Sequence, residues 1–176
     1  MDGIQLKLIA FDVDGVLTDG TIYYGPDGDA MKGFSARDGM GISLARAAGI
    51  QTAVITGRTS PMVARRAADL HIDWVLQNVS DKLAAVNQLC QDLHISMEEI
   101  AYMGDDLNDL SVIANVGCGA SPADGCAEAR QAAVFVASCN GGHGALREWI
   151  EYILKQQNQW DYVLRRYMSG ETAAIQ

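Results

Sequence analysis

Asp12 and Asp14, one residue apart, close the apolar run Leu8-Ile9-Ala10-Phe11 and open the segment Asp12-Val13-Asp14-Gly15-Val16-Leu17-Thr18-Asp19. The run reads as a parallel strand buried on both faces, which puts both carboxylates at its carboxyl end, where open α/β sheets bind ligands. Two negative charges held there call for a cation. Mg²⁺ favours one or two carboxylates together with phosphate oxygens, so the pair points to phosphate chemistry. An isolated Asp-x-Asp-Gly is more often a strand followed by an Asx turn, and the reading needs support from elsewhere in the chain.

Three later segments supply it. Gln51-Thr52-Ala53-Val54-Ile55 ends in Thr56-Gly57-Arg58, a hydroxyl, a glycine and a guanidinium just before the helix-opening Thr59-Ser60-Pro61; such a helix start suits a phosphate. Ser80-Asp81-Lys82 opens a stretch in which Leu83, Val86, Leu89 and Cys90 recur at helical spacing while Lys82 is free to neutralise an oxyanion. Ile100-Ala101-Tyr102-Met103-Gly104-Asp105-Asp106-Leu107-Asn108-Asp109 repeats the opening design, a buried strand running into acids at a helix start. Each has an ordinary explanation as a cap or a solvated first-turn residue. Four in this order, on successive strand ends, point to one site.

Apolar runs alternate with helical periodicity along the whole chain. Strands are expected near 6–11, 51–55, 73–76, 100–103, 116–119 and 133–136, and helices near 39–48, 60–69, 81–93, 107–114 and 123–130, with one long final helix from about 144. That is an α/β fold, a doubly wound parallel sheet of Rossmann-like type, in one domain over 1–168 with a flexible tail at 169–176. Between the first strand and first helix, 20–34 holds a Pro26-Asp27-Gly28 turn flanked by β-prone residues and reads as a β-hairpin. Its Ile22, Tyr23, Tyr24, Met31 and Phe34 exceed what so short a hairpin can bury alone, which implies packing against other subunits.

With 176 residues, half of them hydrophobic, the chain can bury a full core, and no apolar stretch approaches the roughly 20 residues of a membrane span. A net charge of −9 argues against nucleic acid and anionic membranes. Asp2 and Lys7 bracket only a few residues before the first strand, with no signal-type segment, so a cytoplasmic location is expected. Cys90, Cys118, Cys126 and Cys139 lack metal spacing and read as reduced thiols.

The constellation Asp12-Val13-Asp14-Gly15, Thr56, Lys82 and Gly104-Asp105-Asp106 resembles the four motifs of the haloacid dehalogenase superfamily, here without a cap domain. The resemblance implies Asp12 as nucleophile, Asp14 as general acid and base, Thr56 and Lys82 on the phosphoryl oxygens, and Mg²⁺ on Asp12, Asp105 and the main-chain carbonyl of Asp14. Asp106 and Asp109 are implied only as orienting residues. Asp12 to Gly20, Ser35-Ala36-Arg37-Asp38-Gly39-Met40-Gly41, Ile55 to Arg58 and Gly141-Gly142-His143-Gly144-Ala145-Leu146-Arg147-Glu148 narrow it to the 3-deoxy-D-manno-octulosonate 8-phosphate phosphatases. That family implies a homotetramer of lipopolysaccharide sugar synthesis, which hydrolyses a phosphorylated keto-sugar acid through an aspartyl-phosphate. Its substrate contacts fall on Asp14, Ser35, Ala36, Arg37, Asp38, Gly39, Gly57, Arg58, Lys82 and an arginine of the next helix, placed at Arg66 although Arg65 adjoins it. Where the family usually carries arginine, this chain has Ser43 and His143. Nine-carbon keto-sugar acid 9-phosphates are an alternative substrate class. A phospho-accepting signalling domain and a non-catalytic tetramerisation module are alternatives of another kind, and the intact acid pair with its acidic cluster after Lys82 argues against both.

Overall fold

The computed structural model describes residues 5–26 and 28–170. Its elements are β1 (Leu8–Phe11), β2 (Tyr23–Gly25), β3 (Gly28–Met31), α1 (Ala36–Ala47), β4 (Gln51–Ile55), α2 (Pro61–Asp69), β5 (Trp74–Leu76), α3 (Lys82–Leu93), β6 (Ile100–Met103), α4 (Leu110–Ile113), β7 (Cys118–Ser121), α5 (Ala127–Ala132), β8 (Phe135–Val136), α6 (Ala145–Gln156) and α7 (Trp160–Ser169). Six strands form one parallel sheet in the order β5-β4-β1-β6-β7-β8. The expected doubly wound α/β architecture is what forms.

Alternate residues of the central strands build two cores. Ile9, Phe11, Val54, Ala101 and Met103 face α1, α2, α6 and α7, whereas Leu8, Ala10, Ala53, Ile55, Ile100 and Tyr102 face α3, α4 and α5. β1 lies between β4 and β6, with Phe11 opposite Val54 and Met103. The residues that follow these three strands therefore emerge side by side at one carboxyl edge.

Two boundaries depart from expectation for reasons of capping. α1 starts at Ala36 because Ser35 caps it, its Oγ accepting from the N–H groups of Arg37 (3.1 Å) and Asp38 (3.4 Å). Ser35 to Gly39 is thus the start of the helix, whose first residue lies three before the expected 39. The single final helix is two helices, parted where Asn158 takes a left-handed φ of 55° after Gln157 ends α6. α7 then carries its Val163 back onto the α1–α6 core. The expected tail begins inside α7, and its residues 171–176 lie outside the described ones, as do Asp2 and Asp27.

The hairpin forms as a separate two-stranded sheet. Phe34 packs against the core, but Tyr23, Tyr24 and Met31 are 41%, 71% and 56% exposed. All four cysteines are free thiols. Among the described residues no helix is long and apolar enough to cross a membrane.

Candidate active site

Where β1 ends, Asp12 caps the turn Val13–Leu17, its Oδ1 accepting from the Val13 N–H at 2.7 Å. Gly15 reverses the chain at φ 89°, and a Cβ there would run into the Asp105 carboxylate, so glycine lets this loop close on the end of β6. Thr56 is buried at the end of β4, its Oγ1 within 3.4 Å of the Arg58 N–H. Lys82 is the first residue of α3, whose cap Asp81 accepts from the Ala84 N–H at 2.9 Å. The Lys82 ammonium reaches Asp12 Oδ2 at 2.8 Å and Asp109 Oδ1 at 2.7 Å. Asp12, Lys82 and Asp105 are brought together as expected.

Asp109 is the buried hub. Its Oδ1 takes Lys82 and the Tyr102 hydroxyl (2.5 Å), and its Oδ2 takes the N–H groups of Asp105 (3.2 Å) and Asp106 (3.4 Å). Gly104 makes room for it, since a Cβ there would strike the Asp109 side chain. Sequence reasoning gave Asp109 only an orienting place and missed Tyr102, whose signal was a hydroxyl needing a partner inside an otherwise apolar strand. Asp106 is exposed and caps the turn Leu107–Asp109.

The electrostatics suit a cation. Carboxylate oxygens of Asp12, Asp105 and Asp109 lie within 4.8 Å of one another. Burial, followed by the charges of Asp12 and Asp109, pushes Asp105 up to about 7. Burial also raises Asp12 to about 6, against the pull of Lys82. Burial opposes the Lys82 ammonium too, but the two flanking carboxylates outweigh it and raise its pKa. Asp109 already takes four donors, whereas Asp12 takes two and the Asp105 carboxylate none among the described residues, so Asp12 and Asp105 have the lone pairs that a Mg²⁺ ion would need. The Asp14 side chain turns elsewhere: Oδ1 accepts from Lys32 of the hairpin and Oδ2 lies 3.7 Å from Arg58 Nε. Only its main chain is left for a metal. Arg58 Nη2 in turn donates to Asp29 at 2.9 Å. Lys32 and Asp29 are further residues that sequence reasoning missed.

Residues 71–148 match the haloacid dehalogenase-like hydrolase family. The 3-deoxy-D-manno-octulosonate 8-phosphate phosphatase KdsC of Escherichia coli (strain K12) is 41% identical over 157 residues, covering 89% of this chain and 84% of that protein. The chain belongs to the KdsC family. The crystal structure of the 3-deoxy-D-manno-octulosonate 8-phosphate phosphatase from Moraxella catarrhalis, in complex with magnesium, phosphate and a KDO molecule, is 42% identical with a TM-score of 0.89, covering 92% of this chain and 93% of that one. The Haemophilus influenzae KdsC is 40% identical over 155 residues, covering 88% of this chain and 86% of that protein.

The residues that KdsC membership implies on the substrate side are more scattered here. Ser35 and Arg37 line a pocket of about 440 Å³ with Asp19, Tyr23, Gly142 and His143. Arg66 instead lines a second pocket with Ala36, Gly39 and Ser43, its guanidinium against Gly39 and 6.0 Å from the Phe34 ring. Arg65 is exposed, whereas Arg66 is partly buried. Gly57 lies in open backbone beside the Val79 carbonyl. Asp38 departs from the expected substrate contact: fully buried, it accepts from the N–H groups of Gly144 and Arg147, both at 3.0 Å, and caps α6 from α1. The glycine-rich segment covers its own chain's loop. Gly142 donates to the Val16 carbonyl at 2.9 Å, and a Cβ on Gly141 would overlap Gly15.

Proposed function

We propose that this chain is a Mg²⁺-dependent phosphomonoesterase that converts 3-deoxy-D-manno-octulosonate 8-phosphate to 3-deoxy-D-manno-octulosonate and phosphate. The observation that carries it is the convergence of Asp12, Lys82 and Asp105 at one sheet edge in a member of the KdsC family. Mg²⁺ bound by the Asp12 and Asp105 side chains and the Asp14 carbonyl neutralises charge between a negative nucleophile and a negative phosphate. An Asp12 oxygen attacks phosphorus while Asp14 gives a proton to the departing sugar oxygen, leaving an aspartyl-phosphate. Asp14 then takes a proton from water, which attacks phosphorus; the bond from phosphorus to Asp12 breaks and phosphate leaves. Lys82 and Thr56 hold phosphoryl oxygens, and Lys82 keeps Asp12 ionised. Ser35, Arg37 and Arg58 meet the sugar acid, with Ala36, Gly39, Gly57 and Arg66 supporting that side; guanidinium forks suit its carboxylate.

The working unit is the single domain of residues 1–168. Its hairpin presents exposed Tyr23, Tyr24 and Met31, which supports a homotetramer assembled through it. A charged sugar phosphate does not cross a bilayer unaided, so the reaction belongs in the cytoplasm. Asp12→Asn is expected to abolish Mg²⁺-dependent phosphate release with an unchanged circular dichroism spectrum; near-normal activity would remove Asp12 as nucleophile. Rates on eight- and nine-carbon keto-acid phosphates, mannose 6-phosphate and an aryl phosphate decide the substrate. The eight-carbon compound is expected to lead, and equal rates on all would leave only a generic phosphatase.

A further inference from the structure

We propose that the β2–β3 hairpin is part of the catalytic apparatus, with Lys32 as the positioning residue for Asp14 and Asp29 as that for Arg58. The inference rests on the phosphatase reading and adds residues that it does not use. Charges alternate along Lys32, Asp14, Arg58 and Asp29. The outer two belong to the hairpin, and the inner two follow β1 and β4.

Lys32 is the more telling end. Its side chain is 2% exposed on a hairpin whose Tyr23, Tyr24 and Met31 face solvent, and its ammonium is held by Asp14 Oδ1. Taking an ammonium out of water is costly unless it is paired, so the pairing fixes where Lys32 sits. A hairpin attached only for stability would turn Tyr23 and Met31 inward. This one turns its lysine and aspartate toward the sheet edge instead.

The contact also settles which Asp14 oxygen works. Lys32 occupies Oδ1 and stops rotation of the carboxyl group, leaving Oδ2, which accepts no hydrogen bond among the described residues, to carry the proton to the leaving oxygen. Asp29 does the corresponding task for Arg58, holding Nη2 at 2.9 Å with the Tyr24 hydroxyl of the same hairpin also against the guanidinium, and leaving the buried Nε without a hydrogen-bond partner among the described residues. The two hairpin residues thus act on separate parts of the reaction, Lys32 on bond cleavage and Asp29 on substrate binding.

The test uses Lys32→Met, Lys32→Arg and Asp29→Asn in the full chain. With enzyme in excess, release of the alcohol reports the first phosphoryl transfer alone. Lys32→Met is expected to slow sugar release from the sugar phosphate about 10- to 100-fold, the scale of a misplaced catalytic group. Release of p-nitrophenol from its phosphate, which needs no proton, is expected to change by less than about threefold. Lys32→Arg recovers most of the lost rate, and Asp29→Asn raises KM for the sugar phosphate with kcat within about twofold. Equal slowing of both substrates, no slowing, an arginine variant no better than methionine, or the same kcat and KM change in both hairpin variants would each overturn the proposal. Loss of the far-UV circular dichroism of Lys32→Met would make Lys32 a folding residue and overturn it as well. An unaltered chain inactive on both phosphates would instead defeat the phosphatase reading beneath it.

Discussion

Asp109 shows how a residue outside the reaction can govern it. Four donors hold its carboxylate, and through Lys82 it sets the charge beside Asp12. Tyr102→Phe removes one of them, a hydrogen bond to a buried charge, and is expected to lower unfolding free energy by about 1.5–3 kcal/mol in urea titration. The raised carboxylates give a second prediction. Asp105, at about 7, and Asp12, at about 6, hold protons in the folded, metal-free protein that they release near 3.8 when unfolded. Between those values the native state binds more protons, so metal-free stability falls as pH rises from about 4 to about 7 and levels off above. Mg²⁺ requires the deprotonated acids, so the Mg²⁺-induced rise in Tm grows across the same window. Calorimetry at pH 5, 6, 7 and 8 with and without Mg²⁺ checks both signs. The acids and Lys82 were legible because each follows an apolar run. Tyr102 was not, because it sits inside an otherwise apolar strand with its partner Asp109 in the turn beyond, and Lys32 was not, because its partner Asp14 lies 18 residues away in another turn.

At the scale of elements, α6 depends on a cap that its own sequence lacks. Gly144 precedes it with no side chain to offer, and Asp38 supplies both acceptors from across the α1–α6 contact. Asp38→Ala leaves two N–H groups without partners and is expected to cost about 1–3 kcal/mol of stability while KM for the sugar phosphate stays unchanged. Urea unfolding and steady-state kinetics on one preparation separate this role from substrate binding. Strand identities were readable from continuous apolar runs and helix α3 from its periodicity. Helix ends were harder: with the first helix expected only from about 39, the Ser35 cap went unread, and the turn at Asn158 has no glycine or proline to mark it.

For the whole molecule, the hairpin is one apolar surface that a single chain leaves exposed. Tyr24→Asp with Met31→Asp places two charges on that surface and is expected to shift the proposed tetramer toward monomer in size-exclusion chromatography with light scattering. An unchanged mass would remove the hairpin from the interface. The order of strands could be anticipated only in outline, because pairing of β1 with both β4 and β6 joins segments far apart in the chain.

That separation reaches furthest at Gly141 and Gly142, whose backbone lies directly on the loop following Asp12. During synthesis Asp12 leaves the ribosome long before these glycines do. A nascent chain stalled short of residue 141 therefore carries every acid of the centre yet lacks the backbone that packs over the nucleophile's loop. Competence for turnover is expected only late in translation, with the last fifth of the polypeptide.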